Sequence, residues 1–224
     1  MTGLRNRPVD LEAPARRDND LAARTLYNTL GADWVEGTSP AGYTEALCSL
    51  LLDHIRPGDR VLDICCGYGR LTIPLLRLGV NIRGVDLSEV LLARGQELIR
   101  RDGIVRQSFL LGNMKALPLA GDAFDFGFCV WASFNFLVSE ADQLQALAEM
   151  RRILKRGGKA LIEGPFYETH APVQVVCIDG VTYEYAPWTI DDIRDLGKRA
   201  GLECEAATEN VAGRTRALVL LHKR

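Results

Sequence analysis

The sequence lacks an apolar run of the ~18 residues that a membrane helix needs. Its first 20 residues, MTGLRNRPVDLEAPARRDND, contain no apolar stretch of the kind found in a signal peptide. It also lacks a basic surplus, because 27 Lys and Arg against 29 Asp and Glu leave a net charge of −2. Phosphate contacts need such a surplus on some face of a protein. We therefore expect a cytoplasmic protein without a membrane or nucleic-acid partner.

Histidines and closely paired cysteines are also scarce. The three histidines, His54, His170 and His222, are scattered, and the six cysteines include no C-x-x-C pair. We therefore expect no zinc or other metal site. Most of the cysteines lie in or beside apolar runs, where a reduced thiol packs as a small hydrophobe, and this argues against a secreted disulfide scaffold.

What the sequence does contain is a regular alternation of short apolar runs and amphipathic segments. Apolar runs predict strands at 60–64, 81–86, 106–111, 124–130 and 159–163. The amphipathic segments between them predict helices at 69–78, from Ser88 onward, and at 141–154. This order predicts an α/β fold with a Rossmann-like, mostly parallel seven-stranded sheet and helices on both faces.

The segments before and after this alternating region have different sequence patterns. Residues 1–18 are charged and lack apolar periodicity, which predicts a flexible tail, and helical patterns follow at 20–30 and 43–55. Beyond Glu163, Asp179-Gly180 separates two strand-like runs at 173–178 and 181–185 and so predicts a hairpin. The remaining elements are a helix at 189–200 and two strands at 203–208 and 215–221, which we expect to form an antiparallel sheet edge.

These patterns together predict one domain over residues 19–224. We divide it into four parts by the character of their sequence. They are a helical lid at 19–56, a cofactor-binding core at 57–164, an inserted hairpin at 165–188, and a C-terminal helix with edge strands at 189–224.

The segment VLDICCGYGR at 61–70 is the strongest functional signal. A buried strand ends at Asp63, and two glycines, Gly67 and Gly69, precede a helix. Ligands of open α/β sheets bind outside the carboxyl ends of the strands, and glycines there let a ligand approach the backbone. The helix that follows offers free N–H groups to an anionic part of the ligand.

A second signal, GVDLS at 84–88, ends the next strand in an acidic residue. Asp86 lies about 20 residues after the glycine loop, where a carboxylate can accept the ribose hydroxyls of an adenosine ligand. A dinucleotide site prefers G-x-G-x-x-G, whereas this loop has Cys65 first and Thr72 last. An NAD-type oxidoreductase is thus a weaker alternative.

Together these segments resemble the successive motifs of class I S-adenosylmethionine-dependent methyltransferases. The resemblance covers about 61–163 and rests on VLDICCGYGR, GVDLS, LGNMKALPLAGDAFDFGF and RRILKRGGKALIEG. The segment YAPWTIDDIRDLGKRAGLE is similar to the tail of many small-molecule members. Two positions depart from the family pattern, since Cys65 stands where glycine is usual and Asn113 where Asp is usual.

The resemblance implies S-adenosylmethionine as the cofactor and S-adenosylhomocysteine as its product. By position, it places a set of residues around the methionine, ribose, adenine and sulfonium parts of the cofactor, with Tyr27 in a lid over it. These residues are Tyr27, Asp63, Cys65, Gly67, Arg70, Asp86, Leu87, Asn113, Met114, Cys129 and Trp131.

The acceptor pocket is less well defined. Glu163 ends the fifth strand and could bind an amine or act as a base, and His170 is either a general base or a surface histidine. Five aromatic residues are candidate pocket walls, although those of the hairpin could equally be core packing or a homodimer contact. They are Trp34, Tyr167, Tyr183, Tyr185 and Trp188.

A sulfonium methyl is already electrophilic, so the main task of such a protein is to align the acceptor and exclude water. We therefore expect methyl transfer to an O or N atom of a small-molecule acceptor by in-line displacement. The alternatives are the NAD-type oxidoreductase and a protein of the same fold that binds the cofactor without transferring its methyl group.

Overall fold

The computed structural model describes residues 18–104 and 108–224, so the predicted tail lies outside the described residues apart from Asp18. The helices are α1 Asn19–Gly37, α2 Tyr43–Leu52, α3 Thr72–Arg77, α4 Glu89–Arg101, α5 Glu140–Ile153 and α6 Ile190–Arg199. The strands are β1 Arg60–Ile64, β2 Asn81–Asp86, β3 Phe109–Leu111, β4 Phe124–Cys129, β5 Leu154–Pro165, β6 Gln174–Ile178, β7 Val181–Tyr185, β8 Glu203–Val211 and β9 Arg214–His222.

A seven-stranded sheet in the order β3-β2-β1-β4-β5-β9-β8 organises these elements. The first five strands are parallel, while β9 runs antiparallel to both β5 and β8. The strand order reverses between β1 and β4, so a crevice forms beyond their carboxyl ends. The predicted fold class, including the antiparallel edge, is confirmed.

The helices that precede the sheet differ in extent from their predicted bounds. Helix α1 continues past the predicted end at residue 30 to Gly37, although its backbone leaves helical geometry at Gly31 (φ 70°, ψ −177°). The Asp18 carboxylate caps the start of α1 by accepting a hydrogen bond from the Leu21 amide. Helix α2 ends at Leu52, before the predicted end at residue 55.

Within the core, several elements begin or end away from their predicted bounds. Helix α3 begins only at Thr72, because the chain from Gly67 to Gly69 passes through left-handed backbone (φ 57° and 88°). Helix α5 ends at Ile153, and β5 begins at the next residue rather than after a glycine turn. Strand β3 begins at Phe109, and part of the predicted run at 106–111 lies outside the described residues.

The predicted hairpin after Glu163 is present and forms a separate two-stranded sheet of β6 and β7. Its turn is made by Asp179 and Gly180, both with positive φ (48° and 80°). Helix α6 then starts with a capping box, in which Thr189 and Asp192 each accept a hydrogen bond from the other's backbone amide. The edge strands β8 and β9 are longer than predicted.

Two apolar clusters fill the layers on either side of the sheet. One packs α5 and α6 against β1, β4, β5 and β9, with Leu62, Met150 and Ile193 among its members. The other packs α2, α3 and α4 against the opposite face, around Leu51 and Phe126. In the described parts of the chain, no helix combines the length and apolarity that crossing a bilayer requires.

A close contact between α4 and the loop after β1 yields the first testable prediction. A Cβ on Gly95 would lie 2.5 Å from the Tyr68 carbonyl oxygen and 3.0 Å from Cζ of Phe109. We expect Gly95→Ala to destabilise the fold by about 1–3 kcal/mol, because backbone must move to admit the methyl group. Chemical denaturation measures this change in the free energy of unfolding.

Gly37→Ala is the matched control, since Gly37 also lies in a helix and has no atom within 4 Å of the added Cβ. We expect its effect to stay within about 0.5 kcal/mol. Equal stability of the two variants would show that α4 does not approach the loop this closely.

Candidate active site

A cavity lies at the carboxyl ends of β1, β2 and β4 and beneath α1. Its volume is about 930 Å³ including the open mouth, which is in the range of small-molecule sites. The loops after these strands, α1 and the 3₁₀ turn Ser133–Phe136 form its walls. Of the predicted cofactor residues, Cys129 alone does not line it; the others are Tyr27, Asp63, Cys65, Gly67, Arg70, Asp86, Leu87, Asn113, Met114 and Trp131.

The loop after β1 folds back tightly on β2. The amides of Cys65 and Cys66 both donate to the Val85 carbonyl, at 2.8 and 3.0 Å. Cys65 has left-handed backbone (φ 64°), a conformation that costs a side-chain-bearing residue about 1–2 kcal/mol. The glycine usual at this position in similar proteins would avoid that cost.

Asp86, at the end of β2, connects the loop after β1 with the loop after β2. Its Oδ2 accepts a hydrogen bond from the Gly67 amide at 2.8 Å, and its Oδ1 accepts one from the Ser88 amide at 2.9 Å. Burial raises the pKa of this carboxyl, while these amide hydrogen bonds oppose the shift. A carboxylate can accept about four hydrogen bonds, so Asp86 retains capacity for a further donor.

Asp63 lies deeper, at 2% exposure, and its Oδ2 accepts a hydrogen bond from the Thr72 hydroxyl at 2.7 Å. Burial raises the pKa of Asp63 to about 7. The carboxyl therefore changes charge near neutral pH, and a cationic ligand group beside it would favour the ionised form.

Arg70 and Trp131 form the opposite wall. The Arg70 guanidinium lies 4.1 Å from the centre of the Trp131 ring, and its Nη1 donates to the Ser39 hydroxyl at 3.0 Å. Burial lowers the pKa of Arg70. No carboxylate in the described residues forms an ion pair with this guanidinium, so an anionic ligand group would fit beside it.

Helix α1 covers the cavity through contacts at several points. Arg24 pairs with Glu89 at 2.8 Å, and the Ser88 hydroxyl donates to Asn28 Oδ1 at 2.6 Å. The ring of Tyr27 lies 6.0 Å from that of Phe136, so both aromatic rings border the cavity between α1 and the 3₁₀ turn. Burial raises the pKa of Tyr27, which keeps its hydroxyl protonated.

Glu163 does not line the cavity but lies behind Trp131, fully buried. Its Oε2 accepts the Trp131 amide at 2.6 Å, and its Oε1 accepts the Tyr43 hydroxyl at 2.6 Å. Arg216 forms a buried ion pair with the same carboxylate. These contacts hold Trp131 in left-handed backbone (φ 62°). Glu163 is therefore suited to positioning the wall that Trp131 forms, and its own carboxylate has no open path to an acceptor.

His170 lies outside the cavity, and its side chain is 81% exposed. Its Nδ1 is 3.4 Å from Asp192 Oδ2 at the start of α6. Among the described residues that line the cavity there is no His, Lys or Glu. The structure thus favours the surface-histidine alternative for His170 over the general base.

The hairpin aromatics lie behind the cavity wall. Tyr183 stacks on Phe136 with ring centres 5.0 Å apart, and Tyr185 is hydrogen-bonded to Tyr167. Burial raises the pKa of both Tyr183 and Tyr185. These rings support the wall made by Phe136, although Tyr167, Tyr183 and Tyr185 are not part of the cavity surface.

Three further predicted residues are not brought to the cavity surface. Trp188 is buried against Gly164, where its ring occupies the space of a Cβ. Trp34 is half-buried and contributes no atom to the cavity wall. Cys129 is fully buried at the end of β4, where its thiol contacts that of Cys65 and so lies one layer below the cavity floor.

Several cavity residues have no strong signal in the sequence. They come mainly from α1 and the 3₁₀ turn, whose helical patterns do not indicate which face covers a ligand. They include Asp20, Arg24, Val35, Ser133, Phe136 and Leu137. The sequence also gives no signal for the two residues that bind Glu163, because Tyr43 and Arg216 lie 120 and 53 residues from it.

Sequence comparison identifies the family to which the chain belongs. Residues 61–158 match the family model described as "Methyltransferase domain". The "Ubiquinone/menaquinone biosynthesis C-methyltransferase UbiE" of Yersinia pestis (strain Pestoides F) is 31% identical over 192 residues, which cover 75% of this chain and 74% of that protein. The chain belongs to the class I S-adenosylmethionine-dependent methyltransferases. Its cofactor is S-adenosylmethionine.

Two further comparisons place this methyltransferase more broadly. It is 34% identical over 124 residues to the "Demethylmenaquinone methyltransferase" of Bacillus cytotoxicus (strain DSM 22905 / CIP 110041 / 391-98 / NVH 391-98), and the match spans 49% of that protein, about half its length. The crystal structure of the "Glycopeptide N-methyltransferase MtfA" with S-adenosyl-L-methionine superposes with a TM-score of 0.66 at 22% identity. The superposition covers 84% of this chain and 96% of the MtfA chain, and it shows that the two proteins share a fold.

The strained Cys65 backbone gives the second prediction. We expect Cys65→Gly to be more stable than Cys65→Ala by about 1 kcal/mol, because both remove the thiol and only glycine relieves the left-handed backbone. The free energies of unfolding of the two variants, measured by denaturant titration, test this difference. If alanine were as stable as glycine here, residue 65 would not occupy the left-handed region.

Proposed function

We propose that this chain transfers a methyl group from S-adenosylmethionine to a hydroxylated aromatic small molecule. The observation that carries the proposal is a cavity with carboxylates on its floor and aromatic rings, Tyr27, Trp131 and Phe136, in its walls. The names of the relatives, which act in ubiquinone and menaquinone biosynthesis, support an aromatic acceptor.

The residues of the cavity fit the cofactor. Asp86 has free lone pairs suited to ribose hydroxyls, and Asp63 and Arg70 offer opposite charges suited to the ammonium and carboxylate of a methionine group. Leu87 and Met114 supply apolar contacts for a purine ring. We assign these residues to the ribose, methionine and adenine parts, respectively.

When bound, the cofactor supplies an electrophilic methyl group on a sulfonium sulfur. The chain's task is to hold the acceptor in line with the methyl–sulfur bond and exclude water. Trp131 and Tyr27, the latter a residue of α1, supply cavity walls that can do this. The acceptor atom would take the methyl group, the electrons of the methyl–sulfur bond would stay on sulfur, and the acceptor's proton would pass to bulk water at the open mouth of the cavity. No imidazole, lysine or glutamate lines the cavity in the described residues, and Asp63 and Asp86 are assigned to the cofactor, so we assign catalysis to positioning.

The acceptor atom has two candidates on such a ring. A ring hydroxyl oxygen fits the sequence-based expectation of O or N methylation. The relative named as a C-methyltransferase favours a ring carbon, whose nucleophilicity a neighbouring hydroxyl raises. We propose that the ring carbon is the methylated atom, and product analysis by NMR separates an aryl methyl from a methoxy group.

The direct test is to incubate the purified chain with S-adenosylmethionine and a panel of hydroquinones and catechols. We expect equimolar S-adenosylhomocysteine and methylated acceptor by mass spectrometry. Binding of the cofactor without product from any hydroxylated aromatic would contradict the proposed acceptor class. Thermal shift with NAD is the control for the oxidoreductase alternative, and we expect no stabilisation by it.

Asp86→Asn provides the variant test of the same site. We expect it to lower cofactor affinity by about a hundredfold, through two weakened charge-assisted hydrogen bonds, as measured by calorimetry. His170→Ala is the control, and we expect it to keep full affinity and activity because that side chain points to solvent. Unchanged affinity in Asp86→Asn would remove this residue from the ribose site.

Asp63 makes cofactor binding depend on pH. Its pKa of about 7 in the free protein means that binding a cationic group beside it releases a proton below that pH. Between pH 7 and pH 6 we therefore expect affinity to fall by up to about tenfold, with proton release detected by calorimetry in buffers of different ionisation enthalpy. Asp63→Asn should bind more weakly and lose this slope, and an identical slope in that variant would assign the titration elsewhere.

A further inference from the structure

Asp20, in the first turn of α1, contacts the loop that follows β3. The Asn113 Nδ2 donates to its Oδ2 at 2.7 Å, and the Lys115 ammonium lies 2.8 Å from the same oxygen. Asp20 also lines the cavity beside Asn113 and Met114. These contacts therefore attach the start of α1 to the end of the cavity where Leu87 and Met114 offer apolar surface. Among the described residues, they involve only the Oδ2 atom of Asp20.

The orientation of the Asn113 amide follows from these contacts. Its Oδ1 accepts the Lys115 backbone amide at 2.9 Å, while its Nδ2 is directed at the Asp20 carboxylate. An aspartate at 113 would place a second carboxylate within hydrogen-bond distance of Asp20, and this like-charge contact would repel α1. An amide at this position, in place of the usual acid, is thus matched to the carboxylate on α1.

The Asn113 oxygen already accepts one hydrogen bond from its own loop, whereas the contacts of Asp20 with the described residues of this loop involve Oδ2 and leave Oδ1 for a further donor. We propose that Asp20 accepts a hydrogen bond from the exocyclic amino group of the cofactor's adenine. The covering helix α1 thereby supplies an adenine-binding residue. This inference rests on the proposed function, which places the adenine against Leu87 and Met114.

The charge environment of Asp20 supports this role. Lys115 bridges Asp20 and Asp142, at 2.8 and 3.1 Å, so a cation is paired with the Asp20 carboxylate. An ionised carboxylate only accepts hydrogen bonds, so it distinguishes an amino group from a carbonyl at the same position of the purine. Adenine should therefore be preferred over hypoxanthine, which carries a carbonyl there.

The test compares the affinity of S-adenosylhomocysteine with that of S-inosylhomocysteine, which carries a carbonyl in place of the amino group and a proton on the neighbouring ring nitrogen N1. For the unmodified chain we expect calorimetry to show a preference of at least about tenfold for the adenine compound. In Asp20→Asn the preference should fall to within about threefold, because an amide can present either a donor or an acceptor. Asp142→Asn is the matched control, since Asp142 also pairs with Lys115 but does not line this cavity, and its preference should be unchanged.

A charge exchange provides an independent variant. Asn113→Asp should weaken S-adenosylhomocysteine at least about tenfold through carboxylate repulsion, and adding Asp20→Asn should restore affinity to within about threefold of the unmodified chain. Hydrogen exchange over α1 should slow on ligand binding in the unmodified chain and in the double variant, and less so in Asn113→Asp. Full affinity of Asn113→Asp, or no rescue by the second substitution, would overturn the proposal.

The two proposals fail in different ways. If the unmodified chain bound neither S-adenosylmethionine nor S-adenosylhomocysteine, the proposed function would be wrong. If it bound S-adenosylhomocysteine but did not distinguish the inosine compound, or if Asp20→Asn kept the full preference, the role of Asp20 alone would be wrong.

Discussion

The structure of the site depends on how the loop after β1 is held against β2. Two consecutive amides of that loop donate to the Val85 carbonyl, and a third, from Gly67, donates to the Asp86 carboxylate. Satisfying these donors forces Cys65 and the following glycines into left-handed backbone, which delays the start of α3. The delayed helix leaves the floor of the crevice open, so a ligand can lie against backbone.

The same constraint explains why glycines recur around the loop. A Cβ on Gly69 would meet Phe109, one on Gly84 would meet Cys66, and one on Gly95 would meet the Tyr68 carbonyl, each within 2.5 Å. The loop, β2 and α4 thus pack at backbone distance from one another. This close packing makes the floor rigid, which suits a site that acts through alignment more than through acid–base groups.

The opposite wall depends on one buried carboxylate. Glu163 binds Tyr43 of α2, Arg216 of β9 and the backbone of Trp131, and so joins three elements behind the cavity. A buried charge must be paired in this way to be tolerated. Because its carboxylate is fully engaged in these contacts, Glu163 cannot reach an acceptor in the cavity. An acidic residue at the end of β5 can therefore have a structural role in place of that of a general base.

The sequence by itself determined the fold class and most of the cavity floor. Asp63, Gly67 and Asp86 could be assigned because each lies within a few residues of a strand end, and the carboxyl ends of parallel strands meet at one edge. Only the tertiary structure decided which distant side chains complete the site. It brought Asp20 and Phe136 to the cavity, and buried Trp188 and exposed His170, because those outcomes depend on how α1 and the hairpin dock across the sheet. Residues near a strand end are positioned by local backbone geometry, whereas these residues are positioned by packing between elements far apart in the chain.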